Sequence, residues 1–227
     1  MKCSISILLF AFVFSATAHA QPNPKQTFID SLALDICNRI DTSHLDSDTA
    51  RVLSALRQGV NSVKNFEGKE SAILKQALYL RLRHNCLEFY DFVGKYLPHS
   101  KSWKLTSTLP EPHMNAADLK AFSEYKKFSY IDGNDSIVQL DFANNYWIDH
   151  FSDSTYSKLS VHWMDEKTFY ISFIESNNNM RRLYSIAGDR YVYHLLEKTD
   201  KYFKVATNIE GRQRYTLFNL YYTDIDQ

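Results

Sequence analysis

Three histidines fall in segments that alternate between apolar and polar residues, as β-strands do: His150, His162 and His194. Three imidazoles can bind zinc and leave a fourth position open for a substrate. The rings would converge only if the three strands were neighbours, and no H-x-H or H-E-x-x-H spacing brings two of them together. We therefore predict histidines that face solvent or form hydrogen bonds, with no metal site.

Five carboxylates in the same part of the chain could supply an acid/base pair about 5 to 9 Å apart, as glycosidases use. Their spacing forces no two of them together, and two adjacent ones occupy a predicted turn, where acidic residues are common. The sequence has no G-x-S-x-G, P-loop or glycine-rich dinucleotide motif. We predict no catalytic residue and no cofactor. The carboxylates considered are Asp149, Asp153, Asp165, Glu166 and Glu175.

Cys37 and Cys86 are the two cysteines that follow the N-terminal segment, and each lies on the apolar stripe of a predicted helix. In an oxidising compartment an even number of cysteines favours a disulfide. A bridge between them would close a loop of about 50 residues, worth up to about 4 kcal/mol. The alternative is two independent buried thiols. Two cysteines without a C-x-x-C motif are too few for a structural zinc site.

The N-terminal segment MKCSISILLFAFVFSATAHAQ has one basic residue, an apolar core from Ile5 to Val13, and small residues that end in Ala18-His19-Ala20. This order predicts a secretory signal peptide over residues 1–20, cleaved after an A-x-A site. A membrane-spanning helix needs about 20 apolar residues, roughly twice the length of this core. No later stretch is long and apolar enough to span a bilayer. We therefore expect an exported chain, periplasmic or extracellular, with no transmembrane segment after cleavage.

The 227 residues carry balanced charge, with 26 Lys+Arg and 26 Asp+Glu, and 44% of them are hydrophobic. This composition is typical of a globular protein and argues against nucleic acid as a partner. Charge is uneven in the second half: residues 132–156 hold five aspartates and no Lys or Arg, whereas residues 181–214 hold eight basic and four acidic residues. A basic edge could meet an anionic glycan or lipid headgroup, although such a run is more often a solvated face.

The first half of the chain after the signal segment has helical periodicity. Apolar residues at spacings of three and four predict a first helix around residues 29–40, a second helix capped by Asp46 and Ser47, and a long third helix over 71–96. After a proline-containing linker over 98–114, Asn115 and Asp118 predict a capping box for a short helix over 116–125. Residues 21–126 are therefore predicted to be a helical hairpin or bundle.

At Lys127 the period changes from about 3.6 to 2. Turn residues then recur at short intervals, for example Asn144-Asn145 and the asparagines at 177–179. This spacing is typical of an antiparallel meander and not of βαβ units. Residues 127–227 are predicted to form a curled antiparallel sheet of six to eight strands, and the fold class predicted for the whole chain is α+β.

The segment KLSVHWMDEKTFYISFIESNNN alternates like a β-hairpin. A three-residue loop over 165–167 would pair Trp163 with Phe169 and Val161 with Ile171, which keeps the apolar residues on one face, whereas a two-residue turn would mix the faces. This face is the candidate lining of a ligand site inside a barrel-like sheet. The alternative is that it is packed core. The candidate lining consists of Leu159, Val161, Trp163, Phe169, Ile171 and Phe173, together with Tyr191 and Tyr193.

The pattern SKLSVHWMDEKTFYISFIESNNN, with FSYIDG before it and DKYFKVA after it, resembles a group of small, uncharacterised exported bacterial proteins. The resemblance is clearest from Phe128 to Ala206. It implies a helical hairpin with cysteines followed by a lipocalin-like antiparallel sheet. Members of the group often carry a cysteine near the hairpin turn, where this chain has Lys167 and Thr168. No catalytic or binding residue is established for such proteins, so the resemblance assigns none here.

These patterns together favour an exported, non-catalytic binding or interaction protein. Its partner would be a small apolar molecule in the sheet or a protein on the helices. The alternative is a hydrolase that acts on cell-envelope or dietary material, with a site that the sequence does not place. A cavity of roughly 300 Å³ or more in the sheet would favour the ligand. Titratable groups that converge in a cleft and perturb one another's pKa values would favour the enzyme.

Overall fold

A computed structural model of the chain describes residues 24–62, 68–96 and 100–223. The signal peptide predicted over residues 1–20 lies outside these ranges. The described residues form six helices and nine strands. No helix in this part of the chain is both long enough and apolar enough to cross a bilayer.

Four helices come before the sheet. The second begins after Ser47, whose Oγ accepts a hydrogen bond from the N–H of Ala50 at 3.1 Å, as predicted. The prediction of one long helix over 71–96 is wrong, because the extended backbone of Cys86 (φ −121°, ψ 112°) divides it into two. The helices are α1 (Pro24–Thr42), α2 (Asp48–Ser62), α3 (Gly68–Asn85), α4 (Leu87–Gly94), α5 (Ala116–Glu124) and α6 (Asn179–Tyr184).

The helices α1 to α4 share an apolar core of their own. α1 and α2 approach closely where Gly59 faces Ile36: a Cβ atom at position 59 would lie 2.2 Å from the Ile36 Cδ1 atom. The predicted pairing of Cys37 with Cys86 is confirmed, since their Sγ atoms lie 2.14 Å apart. The pair links α1 to the residue that separates α3 from α4.

The strands form one antiparallel sheet in the order β1-β9-β2-β3-β4-β5-β6-β7-β8, and β9 also pairs with β8. The strands β2 to β9 therefore close into an eight-stranded, lipocalin-like barrel, which leaves no open edge among them. The predicted α+β class and strand number are confirmed. The strands are β1 (Lys104–Thr106), β2 (Lys127–Ile131), β3 (Ile137–Ala143), β4 (Tyr146–His150), β5 (Tyr156–Trp163), β6 (Thr168–Ser176), β7 (Arg190–Lys198), β8 (Tyr202–Ile209) and β9 (Tyr215–Tyr221).

β1 lies inside the predicted linker and was not predicted. It pairs with the first half of β9, where Lys104 lies opposite Leu217, whereas β2 pairs with the last residue of β9. The side chain of Trp103 lies beside this junction. Its indole N–H donates to the Ile131 carbonyl at 2.6 Å, and its ring lies 6.0 Å from the ring of Phe218.

The hairpin of β5 and β6 has the predicted register, with Trp163 opposite Phe169 and Val161 opposite Ile171. No residue of its loop adopts a positive φ. Instead, the Asp165 carboxylate accepts a hydrogen bond from the N–H of Lys167 at 2.7 Å, which closes the loop through a side chain. By contrast, the two-residue turn between β3 and β4 has two asparagines with φ of 53° and 62°, as a type I′ hairpin requires.

The helix α5 closes one end of the barrel. Asn115 caps it and Asp118 completes the predicted capping box. Phe122 projects from α5 into the barrel and is 1% exposed. Its ring lies 5.0 Å from that of Phe203 and 5.3 Å from that of Phe128. This half of the barrel is therefore filled by aromatic side chains.

The helix α6 lies at the other end of the barrel. The asparagines at 177–179 were predicted as a turn, and α6 follows because Asn178 caps it through a hydrogen bond from the N–H of Arg181 at 3.1 Å. Arg81 of α3 joins this end of the barrel to the helices. Its guanidinium pairs with Asp30 of α1 and Asp189 of the β6–β7 connection and donates to the carbonyl of Tyr184.

Candidate ligand-binding cavity

The barrel contains a cavity of about 470 Å³ in the half that lies away from α5. Its walls come from the ends of β2, β4, β6 and β8 and from the beginnings of β5, β7 and β9. Residues of α3, α4 and α6 line its mouth. The two halves of one barrel therefore differ: aromatic rings fill the first, and the second holds space for a small molecule.

Asp149 lies at the base of the cavity and is 7% exposed. Its Oδ1 atom accepts hydrogen bonds from the Tyr130 hydroxyl at 2.9 Å and the Trp147 indole N–H at 2.8 Å. Burial raises the pKa of Asp149, and the positive charge of Arg181 acts in the opposite direction. Burial and then the Asp149 charge also raise the pKa of Tyr130 well above its ordinary value, so that Tyr130 keeps its proton and its hydroxyl donates a hydrogen bond to the carboxylate.

The walls of the cavity are mainly aromatic. The rings of Trp147 and Tyr193 lie 4.8 Å apart, and those of Tyr130 and Phe218 lie 5.6 Å apart. Leu159, Ile171 and Phe173 of the β5–β6 hairpin complete the inner part. An apolar surface of this kind, with a few fixed polar groups, is the usual composition of a small-molecule site.

The mouth of the cavity is held in place by the buried ion pairs of Arg81, which is 3% exposed. Its Nη1 atom lies 2.6 Å from Asp189 Oδ2 and 2.6 Å from the Tyr184 carbonyl oxygen. Because the desolvation of buried charges offsets much of their attraction, we assign these contacts a positioning role more than a stabilising one. They fix α3 and the end of α6 over the barrel.

Four arginines line the mouth. Arg83 comes from α3, Arg181 from α6, and Arg212 and Arg214 from the loop between β8 and β9. The sequence shows the excess of basic residues over 181–214, but such a run is more often typical of a solvated face. The positions of these arginines depend on three separate elements meeting at one end of the barrel, which the sequence alone does not reveal.

The residues predicted to line a ligand site divide between the two halves of the barrel. Leu159, Ile171 and Phe173 line the cavity, as do Tyr191 and Tyr193. Val161 and Phe169 are buried in the half that Phe122 fills. Trp163 lies at the far end of the same half, where it is 45% exposed and its ring is 6.1 Å from that of Phe122.

The three histidines considered as zinc ligands lie on outward-facing positions of three different strands. His150 contacts Asp141 at 3.1 Å, His162 stacks on Tyr170, and His194 lies 3.5 Å from the Thr168 hydroxyl. Among the described residues, the one group of three potential metal ligands that lie together is Cys37, Cys86 and Glu88. The two sulfur atoms of that group are bonded to each other.

Of the five carboxylates considered for catalysis, Asp149 is the one that lines the cavity. Asp132 is a second carboxylate there, although its position in a predicted turn does not mark it as a site residue. Its Oδ1 atom accepts hydrogen bonds from the N–H groups of Asn134 and Ser136, and its Oδ2 atom lies 3.5 Å from Arg181. Asp132 is thus engaged in its own turn and in an ion pair.

A second cleft, of about 490 Å³, lies outside the barrel along α2, α4 and β1. Of its charged residues, all but Glu88 are paired with one another: Asp48 with Arg51 and Lys95, and Asp91 with Arg214. These pairs leave few polar groups to orient a ligand. The barrel cavity, with its buried carboxylate and its arginines, is the stronger candidate site.

Comparison of the chain with protein-family models, with curated proteins and with solved structures finds no match.

Proposed function

We propose that this is an exported, non-catalytic binding protein that holds a small molecule with an apolar body inside its barrel. The observation that carries the proposal is the cavity of about 470 Å³ in a barrel whose other half is filled. Aromatic side chains can fill a barrel of eight strands completely, as they do around Phe122. Space in the opposite half, lined by the same kinds of residue, indicates a site for a ligand.

The size and composition of the cavity agree with this role. Ligand sites commonly measure about 300 to 1,000 Å³ and combine apolar walls with a few polar groups. Here the inner walls include Trp147, Phe173 and Tyr193, and Asp149 is fixed by two hydrogen bonds at the base. The engagement of Asp132 in its turn and with Arg181 supports a charge-balancing role for that carboxylate over an acid/base role in hydrolysis.

Two features support the proposed location outside the cytoplasm. The first is the signal peptide predicted over residues 1–20. The second is the Cys37–Cys86 pair at bonding distance, because structural disulfides persist in oxidising compartments.

The proposal is tested by titrating the protein with N-phenylnaphthylamine, an uncharged probe whose fluorescence rises in an apolar site. We expect saturable binding of one probe per chain. Substitution Ile171→Phe adds a larger side chain to the cavity wall and is expected to weaken binding about tenfold, since overpacking of a filled site typically costs 1–3 kcal/mol. The matched control is Ile174→Phe, because Ile174 lies on the outer face of the same strand and is 40% exposed.

The proposal would be abandoned if the parent protein bound no probe, or if both variants bound it as the parent does. Native mass spectrometry of the protein purified from its own source provides a second measurement. A retained small molecule that Ile171→Phe loses and Ile174→Phe keeps would identify the natural ligand of the cavity.

A further inference from the structure

The positive charge at the mouth of the cavity exceeds what the neighbouring residues neutralise. The lining includes four guanidinium groups and two carboxylates, those of Asp132 and Asp149. Asp149 lies at the base of the cavity, where burial raises its pKa. The mouth is therefore rich in cations.

Two of the four arginines are paired. Arg214 forms a two-pronged ion pair with Asp91, with the Nε atom 3.1 Å from Oδ1. Arg181 lies 3.5 Å from Asp132 and places its guanidinium 5.0 Å from the centre of the Phe151 ring. These two side chains have their charge balanced inside the protein.

Arg212 is different. Its Nη1 atom donates a long hydrogen bond, 3.4 Å, to the carbonyl of Arg83, and its Nη2 atom is buried with no hydrogen-bond partner. Among residues 24–62, 68–96 and 100–223, no carboxylate lies within ion-pair distance of it; Glu88 and Asp91 act on it from farther away. Burial lowers the pKa of Arg212, yet an arginine stays charged. A partly buried guanidinium without an anion is unfavourable, and an anion that enters the cavity would relieve this.

Arg83 lies beside Arg212, because the Arg212 guanidinium contacts its backbone. It has no carboxylate partner in the described part of the chain and stands 5.9 Å from the Tyr79 ring. The positive charges of Arg83 and Arg212, with Arg181, also act together on the Tyr184 hydroxyl, where they oppose the rise in pKa that burial causes. Arg83, Arg181 and Arg212, which come from three different elements, therefore line the same mouth as Tyr184.

We infer that the ligand is an amphipathic anion, with its apolar body among the aromatic residues of the barrel and its acidic group against Arg212 and Arg83. This inference rests on the proposed function, since it assigns a ligand class to the same cavity. Arginine forks match the oxygen geometry of carboxylates and phosphates, and a fatty carboxylate or an alkyl phosphate would supply both parts. The cavity runs from Asp149 at the base to the arginines at the mouth, so one molecule can contact both regions.

The experiment compares two probes that differ by one acidic group: anilinonaphthalene sulfonate and the uncharged N-phenylnaphthylamine. We expect the parent protein to bind the sulfonate more tightly, and more weakly as salt is added. Arg212→Gln is expected to weaken sulfonate binding about tenfold or more, the range for a charge-assisted hydrogen bond, and to change binding of the uncharged probe less than about twofold. Arg83→Gln should act in the same direction.

Arg182→Gln is the matched control. Arg182 lies next to Arg181 on α6, is exposed, and donates to Asn179, so that its loss removes the same charge outside the cavity. It is expected to leave both probes unaffected. Far-ultraviolet circular dichroism of each variant checks that it is folded, so that a loss of both probes reports on binding.

Competition then separates the two acidic groups: displacement of the sulfonate by dodecanoate identifies a carboxylate site, and stronger displacement by dodecyl phosphate identifies a phosphate site. Equal displacement by dodecanol, or equal loss of both probes in Arg212→Gln, would overturn the anionic assignment and leave the proposed function standing. Failure of the parent to bind the uncharged probe would overturn the proposed function itself.

Discussion

The disulfide between Cys37 and Cys86 should be a large contributor to the stability of the helical bundle. Its sequence separation is 49 residues, and for a loop of that length the chain-entropy relation gives about 4 kcal/mol at 25 °C. For a chain of about this size, each kcal/mol shifts the melting temperature by about 2 to 4 °C, so that reduction should lower the Tm by about 10 °C.

The assay is urea or thermal unfolding with and without a reductant, followed by two signals. Far-ultraviolet circular dichroism reports mainly the helices. The three tryptophans, Trp103, Trp147 and Trp163, belong to or pack on the barrel, so their fluorescence reports the β-part. We expect reduction to move the circular dichroism transition to lower denaturant.

The control is the double substitution Cys37→Ala and Cys86→Ala, whose unfolding should not respond to the reductant. The reasoning would be refuted if the parent chain showed two free thiols after denaturation without reductant. It would also be refuted if reduction shifted the circular dichroism transition by less than about 1 kcal/mol, well below the loop-closure figure.

Three further predictions concern the barrel and the helices. Because burial raises the pKa of Asp149, its protonated form stabilises the fold and this contribution is lost as the pH rises through that pKa. Asp149→Asn should therefore be more stable than the parent near neutral pH, and this advantage should vanish below about pH 4, as urea titrations at several pH values would reveal. Gly59→Ala should destabilise the chain by about 1–2 kcal/mol despite its better helix propensity, since its Cβ would collide with Ile36. An unchanged melting temperature for Gly59→Ala would contradict this expectation and would mean that α1 can move aside. Val161→Phe, in the filled half of the barrel, should lower the free energy of unfolding by about 1–3 kcal/mol. Leu159→Phe, two positions earlier on the same face, should lower it by less than about 1 kcal/mol, because the new ring projects into the cavity. Equal losses in thermal unfolding would contradict the difference between the two halves.

The candidate site was only partly predictable from the sequence. The alternation of the β5–β6 hairpin placed Leu159, Ile171 and Phe173 on its apolar face, and these residues line the cavity. The same alternation placed Val161 and Phe169 on that face with equal strength, although they lie in the filled half. Periodicity identifies the inside of a barrel but not the depth at which a side chain lies, because depth depends on what closes each end.

The arginines of the mouth illustrate the same limit. Arg83 and Arg212 are more than a hundred residues apart in the chain, and they meet because α3 packs over the loop between β8 and β9. The helix α6, which carries Arg181, was missed because three consecutive asparagines are a strong turn signal, and Asn178 acts as a helix cap instead.

The sequence by itself determined that helices dominate before Lys127 and strands after it, although β1 and α6 depart from this division, and it determined the hairpin register. It also favoured the cysteine pair, which the structure contains. Each of these depends on local periodicity, turn chemistry or a count of residues. Tertiary structure alone decided that the sheet closes, that Phe122 of α5 fills one end, and that Arg81 holds two helices over the other. These features depend on contacts between segments far apart in the chain, and the cavity exists only as the space that such contacts leave unfilled.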